Sequence, residues 1–196
     1  MKYREYSLAS LRAASLQLAS KLAPWQPDLV VFIARGGLPI GQAISASCGC
    51  PLVGVRAERE GGRLKEHLTP LLRRIPKRLR THLRELELRS GVHRRHTARR
   101  IAFLQPLPEA GRVLIVDDSV DTGASMQQVR DAVAARLPQA ELRTVALNVF
   151  SASRAVIQTD ACLHHDTILS TPASADSAEH ASFLALWQAY EKTLGV

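Results

Sequence analysis

Two runs of apolar residues punctuate this chain without a polar break: Asp28 to Ala34 (Asp-Leu-Val-Val-Phe-Ile-Ala) after its first residue, and Val113 to Val116 (Val-Leu-Ile-Val). Runs of this length, apolar at every position, predict strands buried on both faces. Between and around them the period changes. Ser7 to Ala23 places Leu11, Leu18 and Leu22 on one helical face, with Ser7 in position to cap it. Pro39 begins a second helix that ends near Cys48-Gly49, and Pro51 to Val55 supplies the next strand. Beyond the second buried run, read as a strand over 112–117, the pattern predicts a helix over 122–137 and a strand over Leu142–Val149. A weaker strand follows over Ala161–His165, and a closing helix over Ala178–Leu194. Strands alternating with helices predict an α/β fold with a doubly wound, mainly parallel sheet flanked by helices. A parallel sheet gathers its strand carboxyl ends along one edge, where ligands bind. Arg35-Gly36-Gly37 and Asp117-Asp118 are thereby expected to face a common crevice.

At 196 residues the chain is read as one domain, 1–196. No apolar run approaches the roughly 20 residues needed to cross a bilayer, and the N-terminus lacks a signal-peptide pattern. Cys48, Cys50 and Cys162 have neither zinc spacing nor an even count, so they are read as reduced thiols. These features predict a cytoplasmic protein. The net charge of +8 is concentrated: residues 56–100 hold 15 Lys/Arg against 5 Asp/Glu. Within that stretch Leu64, Leu68, Leu71, Leu72 and Ile75 suggest one amphipathic helix, and Leu79, Leu83 and Leu86 another after Pro76. The expectation is a basic, largely helical insertion, a hood or flexible lid over about 58–104, with Arg94 to Arg100 as its closing loop.

The chemistry is densest over residues 112–125, Arg-Val-Leu-Ile-Val-Asp-Asp-Ser-Val-Asp-Thr-Gly-Ala-Ser. Asp117 and Asp118 stand at the end of a buried strand. Asp121, Thr122, Gly123 and Ser125 follow in a short loop that leads into a helix. Such a loop presents backbone N–H groups at a helix N-terminus, a seat for phosphate. Two acids beside it suit diol hydroxyls or a hydrated Mg²⁺.

This segment closely resembles the phosphoribosyl pyrophosphate (PRPP) signature of type I phosphoribosyltransferases. The resemblance implies that Asp117 and Asp118 contact the ribose hydroxyls, directly or through Mg²⁺. It also implies that Ser119, Asp121, Thr122, Gly123, Ala124 and Ser125 form the 5′-phosphate loop. Arg35, Gly36 and Gly37, in Val-Phe-Ile-Ala-Arg-Gly-Gly-Leu-Pro-Ile-Gly, are similar to the pyrophosphate loop of that family and closest in flavour to bacterial xanthine–guanine enzymes. Members often hold a non-proline cis peptide there. Arg56 is either a further pyrophosphate contact or an ordinary solvated arginine. The implied activity is transfer of a ribosyl 5-phosphate from PRPP to a nitrogen acceptor, a purine-like nucleobase, by a Mg²⁺-dependent homodimer. Asp121 matches the aspartate assigned as proton acceptor near N7 in 6-oxopurine enzymes; the alternative is a loop-capping Asx turn.

Other signals pull away from that reading. The lysine that reads O6 in oxopurine enzymes has no counterpart in Ala146 to Ser151, where Asn148 is the one residue suited to a carbonyl. The stacking aromatic is missing before Asp166, where His164 and His165 stand instead, either on substrate or as surface residues. Leu-Ile-Val-Asp-Asp-Ser also resembles the opening of a receiver domain, but that reading leaves 111 upstream residues and the Thr-Gly loop without a role. From another class, a regulator of the same fold would sense PRPP or nucleotides and bind RNA through 60–100. No aromatic precedes Phe103 in the basic segment to stack on bases, so nucleic acid is not the favoured partner.

Overall fold

The computed structural model describes residues 2–59 and 99–195. In chain order the elements are β1 (Lys2–Glu5), α1 (Leu8–Ser20), β2 (Leu29–Ile33), α2 (Leu38–Cys48) and β3 (Leu52–Arg59). Then come β4 (Arg99–Phe103), β5 (Arg112–Val120), α3 (Ala124–Arg136) and β6 (Glu141–Val149). A 3₁₀ turn (Ser151–Ala155), β7 (Ala161–His165), β8 (Thr167–Ser170) and α4 (His180–Thr193) close the chain. Six strands form the main sheet in the order β4-β3-β2-β5-β6-β7. The β2–β3, β2–β5, β5–β6 and β6–β7 pairs are all parallel.

The two apolar runs are the centre of this sheet. Their alternate residues feed two separate cores. Val30, Phe32, Leu114 and Val116 pack with Leu11 and Leu18 of α1, Ile40 and Ile44 of α2, and Trp187 and Tyr190 of α4. Leu29, Val31, Ile33, Val113 and Ile115 pack on the other face with Met126, Val129 and Val133 of α3. Helices therefore cover both faces of a mainly parallel sheet, which is the doubly wound arrangement. Full burial of each such side chain contributes about 1.5–3 kcal/mol, so the strands carrying the site are among the best-anchored in the molecule.

Local chemistry sets the element ends. The Ser7 hydroxyl accepts the Ser10 N–H and the Ser10 hydroxyl accepts the Ser7 N–H, closing a capping box at α1. Gly49 ends α2 in the left-handed region at φ 67°.

Several elements depart from expectation. β5 does not stop at Asp117 but stays paired with β6 as far as Val120, opposite Val149. β3 likewise runs beyond Val55 to Arg59. A separate two-stranded parallel sheet joins β1 to β8, with Lys2 opposite Thr167 and Glu5 opposite Ser170. Neither strand has a legible alternation: β1 is exposed at all four positions and β8 is buried at all four. Part of the span expected as an insertion, 58–104, belongs to strands, because β3 extends into it and β4 begins at Arg99. Arg99 and Arg100, placed in a closing loop by the sequence pattern, start that strand. The amphipathic helices expected over 64–86 and the residues Arg94 and Arg95 lie outside the described residues. The cysteines are free and half-buried. Among the described residues no helix is long and apolar enough to cross a membrane.

Candidate functional site

The carboxyl ends of β2 and β5 meet at one edge of the sheet, and the glycines determine how closely. A side chain at Gly36 would overlap the Asp118 carboxylate. A Cβ on Gly37 would lie 2.8 Å from the Ile33 carbonyl oxygen and 2.9 Å from that of Val116. The turn after β2 is thus pressed directly against β5 and its acids: at Gly37 the backbone leaves no room for a Cβ, and at Gly36 a Cβ would displace the Asp118 carboxylate. The Ala34–Arg35 peptide is cis. Gly37 then caps α2 with backbone alone, its N–H donating to Ile33 and its carbonyl accepting from Gly41. Gly36→Ala should therefore push the Asp118 carboxylate from its position. We expect a stability loss of about 1–3 kcal/mol for the forced fit and a larger proportional loss of anion affinity, measured by thermal melting beside calorimetric titration with magnesium pyrophosphate.

Asp117 and Asp118 are both half-buried and lie within β5. The sequence pattern placed them at the end of the strand, but the strand continues, with Val120 buried and still paired across to β6. Burial, followed by the Asp118 charge, holds the Asp117 carboxyl well above the ordinary carboxylate range. The Asp118 backbone N–H, donated to Asp117 Oδ1 at 2.9 Å, pulls the other way, and Asp121 adds a further upward push. Crowded acids of this kind favour a proton or a cation between them. Thr171, just after β8, donates its hydroxyl toward Asp118 Oδ2 at 3.4 Å, a contact that nothing in the sequence pattern indicated.

After Val120 the chain turns through Asp121 and Thr122 to Gly123, which adopts φ 81°. A Cβ there would meet Ile157 Cγ2 at 2.9 Å as well as the strained backbone. Gly123 caps α3 without a side-chain hydrogen bond. Among the described residues no side chain caps the start of this 13-residue helix, whose first turn begins with Ala124 and Ser125. That is the arrangement in which a helix N-terminus receives an anion. Asp121 accepts the Ser119 hydroxyl at 2.9 Å. Among the described residues its carboxylate takes no hydrogen bond from the Thr122 or Gly123 backbone.

Asn148, weighed as a reader of a carbonyl, is fully buried. Its Oδ1 accepts the Thr167 N–H at 3.1 Å and its Nδ2 reaches Ser119 Oγ at 3.5 Å. It joins β6 to β8 and sits behind Ser119 and Asp121. His164 meets the Tyr6 hydroxyl at 2.6 Å, His165 lies 3.4 Å from Cys162 Sγ, and Asp166 accepts the Ser151 N–H and hydroxyl. Asp166 thus ties the turn between β7 and β8 to Ser151, while His164 reaches Tyr6 and His165 stays beside Cys162 of its own strand. Arg56 is ion-paired with Glu191 at 3.0 Å, with its side chain still 41% exposed to solvent. Among the described residues no cluster of three or more His, Cys, Asp or Glu side chains is placed to enclose a metal.

The phosphoribosyl transferase domain family matches residues 4–161. Among solved structures, a purine phosphoribosyltransferase from Pyrococcus horikoshii superposes with a TM-score of 0.61 at 20% identity, covering 91% of this chain and 97% of its own. The xanthine-guanine-hypoxanthine phosphoribosyltransferase of Helicobacter pylori also gives 0.61, at 17% identity, with 92% and 99% covered. A Neisseria gonorrhoeae protein with bound ppGpp gives 0.56 at 14% identity, with 96% and 97% covered. At these identities the three structures speak to the fold alone.

Proposed function

This chain belongs to the phosphoribosyl transferase domain family and is a phosphoribosyltransferase, and from that premise we propose that it transfers a ribosyl 5-phosphate from PRPP to a purine-like nucleobase. The reading is supported chiefly by the apposition of Gly36 and the Asp118 carboxylate, which brings the 35–37 turn and the acid pair close enough to serve one substrate. The uncapped N-terminus of α3 supplies the third component, a seat for the 5′-phosphate.

In this reading the bond from the anomeric carbon to the diphosphate oxygen breaks as a bond from a ring nitrogen of the base forms. Positive charge builds on the sugar while negative charge leaves on diphosphate. Arg35 and the amides of the 35–37 turn stabilise the leaving charge. Asp121, aimed by its hydrogen bond from Ser119, takes the proton carried on N7 of the base as N9 attacks. The donor set at Asp117 and Asp118 fits Mg²⁺. Two carboxylates with no closed protein cage suit a cation that keeps waters and shares its shell with substrate. When bound, the ion would neutralise diphosphate charge and offset the Asp118 repulsion that, after burial, raises Asp117.

A purine-like acceptor is supported by Asp121, which matches the oxopurine pattern, and by the names of the purine and xanthine-guanine-hypoxanthine relatives. The buried state of Asn148 removes it as a substitute for the O6-reading lysine. A homodimer in the cytoplasm completes the proposal on family resemblance, and light scattering of the purified chain checks the first half. Incubation with magnesium, PRPP and a panel of guanine, hypoxanthine, xanthine, adenine and orotate tests the acceptor. A purine nucleoside monophosphate is expected; orotidine monophosphate alone would overturn the purine assignment.

A further inference from the structure

Arg35 and Arg56 approach the site from different strands, yet both lie over one aromatic ring. The Arg35 guanidinium carbon is 5.5 Å from the Trp187 ring centroid, and that of Arg56 is 5.9 Å from it. Trp187 comes from α4, more than 130 residues downstream of either, and is 2% exposed. Its ring is fixed. Phe32 of β2 meets it edge-on at 6.4 Å, and Tyr190 flanks it at 6.0 Å. The Tyr190 hydroxyl donates to Gln105 Oε1 at 2.9 Å, and Gln105 Nε2 donates to the Leu52 carbonyl at 2.7 Å. The platform is therefore tied to the strands that lead into the Arg35 turn and to Arg56.

Two like charges within about 6 Å of one ring repel each other, and the negative face of the indole offsets part of that cost. Glu191, one turn along α4, holds Arg56 by an ion pair. Arg35 has no ion-pair partner among the described residues. The indole N–H is buried without a hydrogen-bond partner, which is uncommon for a buried donor. Packing alone would be met by leucine or phenylalanine at this position. The two guanidiniums are donors only, Arg56 already engaged by the Glu191 carboxylate, and a diphosphate offers the acceptors that would match them.

We propose that Trp187 is a positioning residue for diphosphate binding, holding the guanidiniums of Arg35 and Arg56 on one aromatic platform, with Glu191 directing Arg56 until the polyanion arrives. The proposal rests on the PRPP reading above and assigns a part of the site to the C-terminal helix, outside the span matched by the family.

The chain has two tryptophans, so Trp25→Phe leaves Trp187 as the sole indole reporter. Titration of that protein with magnesium pyrophosphate should change Trp187 emission saturably, with the same midpoint as calorimetric binding. In the otherwise native chain Trp187→Leu should weaken pyrophosphate about tenfold, with Trp187→Phe in between, because one to two cation–π contacts are lost or weakened. Melting temperatures measured in parallel separate lost binding from lost folding. If Trp187→Leu does not fold, Trp187→Phe and the emission titration decide. Calorimetric binding with no emission change, or native affinity in both variants, would overturn the platform while leaving the PRPP reading intact. No calorimetric binding in the native chain would overturn both.

Discussion

Asp121→Asn is expected to lower kcat by about 10²–10⁴-fold while leaving PRPP affinity nearly unchanged. The substitution keeps the shape of the side chain and its ability to accept the Ser119 hydroxyl, but removes the basicity that a proton acceptor must have. General acid–base groups contribute on this scale when the chemical step limits turnover. The split between kcat and affinity is the informative part. Loss of loop structure at the Thr122-Gly123 turn would impair binding and catalysis together, since the N-terminus of α3 follows immediately. Single-turnover kinetics with the preferred base measure the chemical step directly. A mutant as fast as the native enzyme in that assay would remove Asp121 from the proton transfer.

The acid pair should show the second large effect. Asp117→Asn with Asp118→Asn is expected to abolish magnesium-dependent PRPP binding in calorimetry, with the fold retained. The pair lies half-buried on β5 rather than beyond it, so removal of its charge also changes stability. In the native chain Asp117 is held well above its ordinary value, first by burial and then by Asp118. The folded state therefore keeps a proton over a pH range where the unfolded chain has lost it. Stability of the magnesium-free protein should fall as pH rises from the ordinary carboxylate range through the raised folded value. Asp117→Asn should flatten that fall and melt higher than the native chain above the window. Magnesium should restore part of the native stability there and have no such effect on the double variant. Melting curves across pH, with and without magnesium, check both signs. Unaltered PRPP affinity in a folded double variant would contradict the assignment of the pair.

What the sequence conveyed, it conveyed through burial and turn chemistry. The unbroken apolar runs at β2 and β5 located the centre of the sheet because both faces there are covered by helices. Gly49 and Ser7 marked helix ends because their local geometry needs those residues. The β1–β8 sheet escaped notice for the opposite reason: one strand is wholly exposed and the other wholly buried, so neither alternates. The extent of β5 was also hidden, since Asp118 and Ser119 look like the start of a loop, while the ladder to β6 runs on through Ser119 and Val120. Contacts between distant segments were beyond reach. Thr171 on Asp118, Glu191 on Arg56 and Trp187 beneath Arg35 each depend on how β8 and α4 return to the sheet. Within each segment these residues look like ordinary members of a strand end or an amphipathic helix.

The central claim is that the crevice between Arg35-Gly36-Gly37 and Asp117-Asp118 holds PRPP for transfer to a base. It is tested most directly by the release of pyrophosphate from PRPP in the presence and absence of a nucleobase. The account predicts release that depends on both base and magnesium, one pyrophosphate per nucleotide formed, and close to none without base. Release that is equally fast without any base, or PRPP that binds but yields no pyrophosphate with any base of the panel, would contradict it.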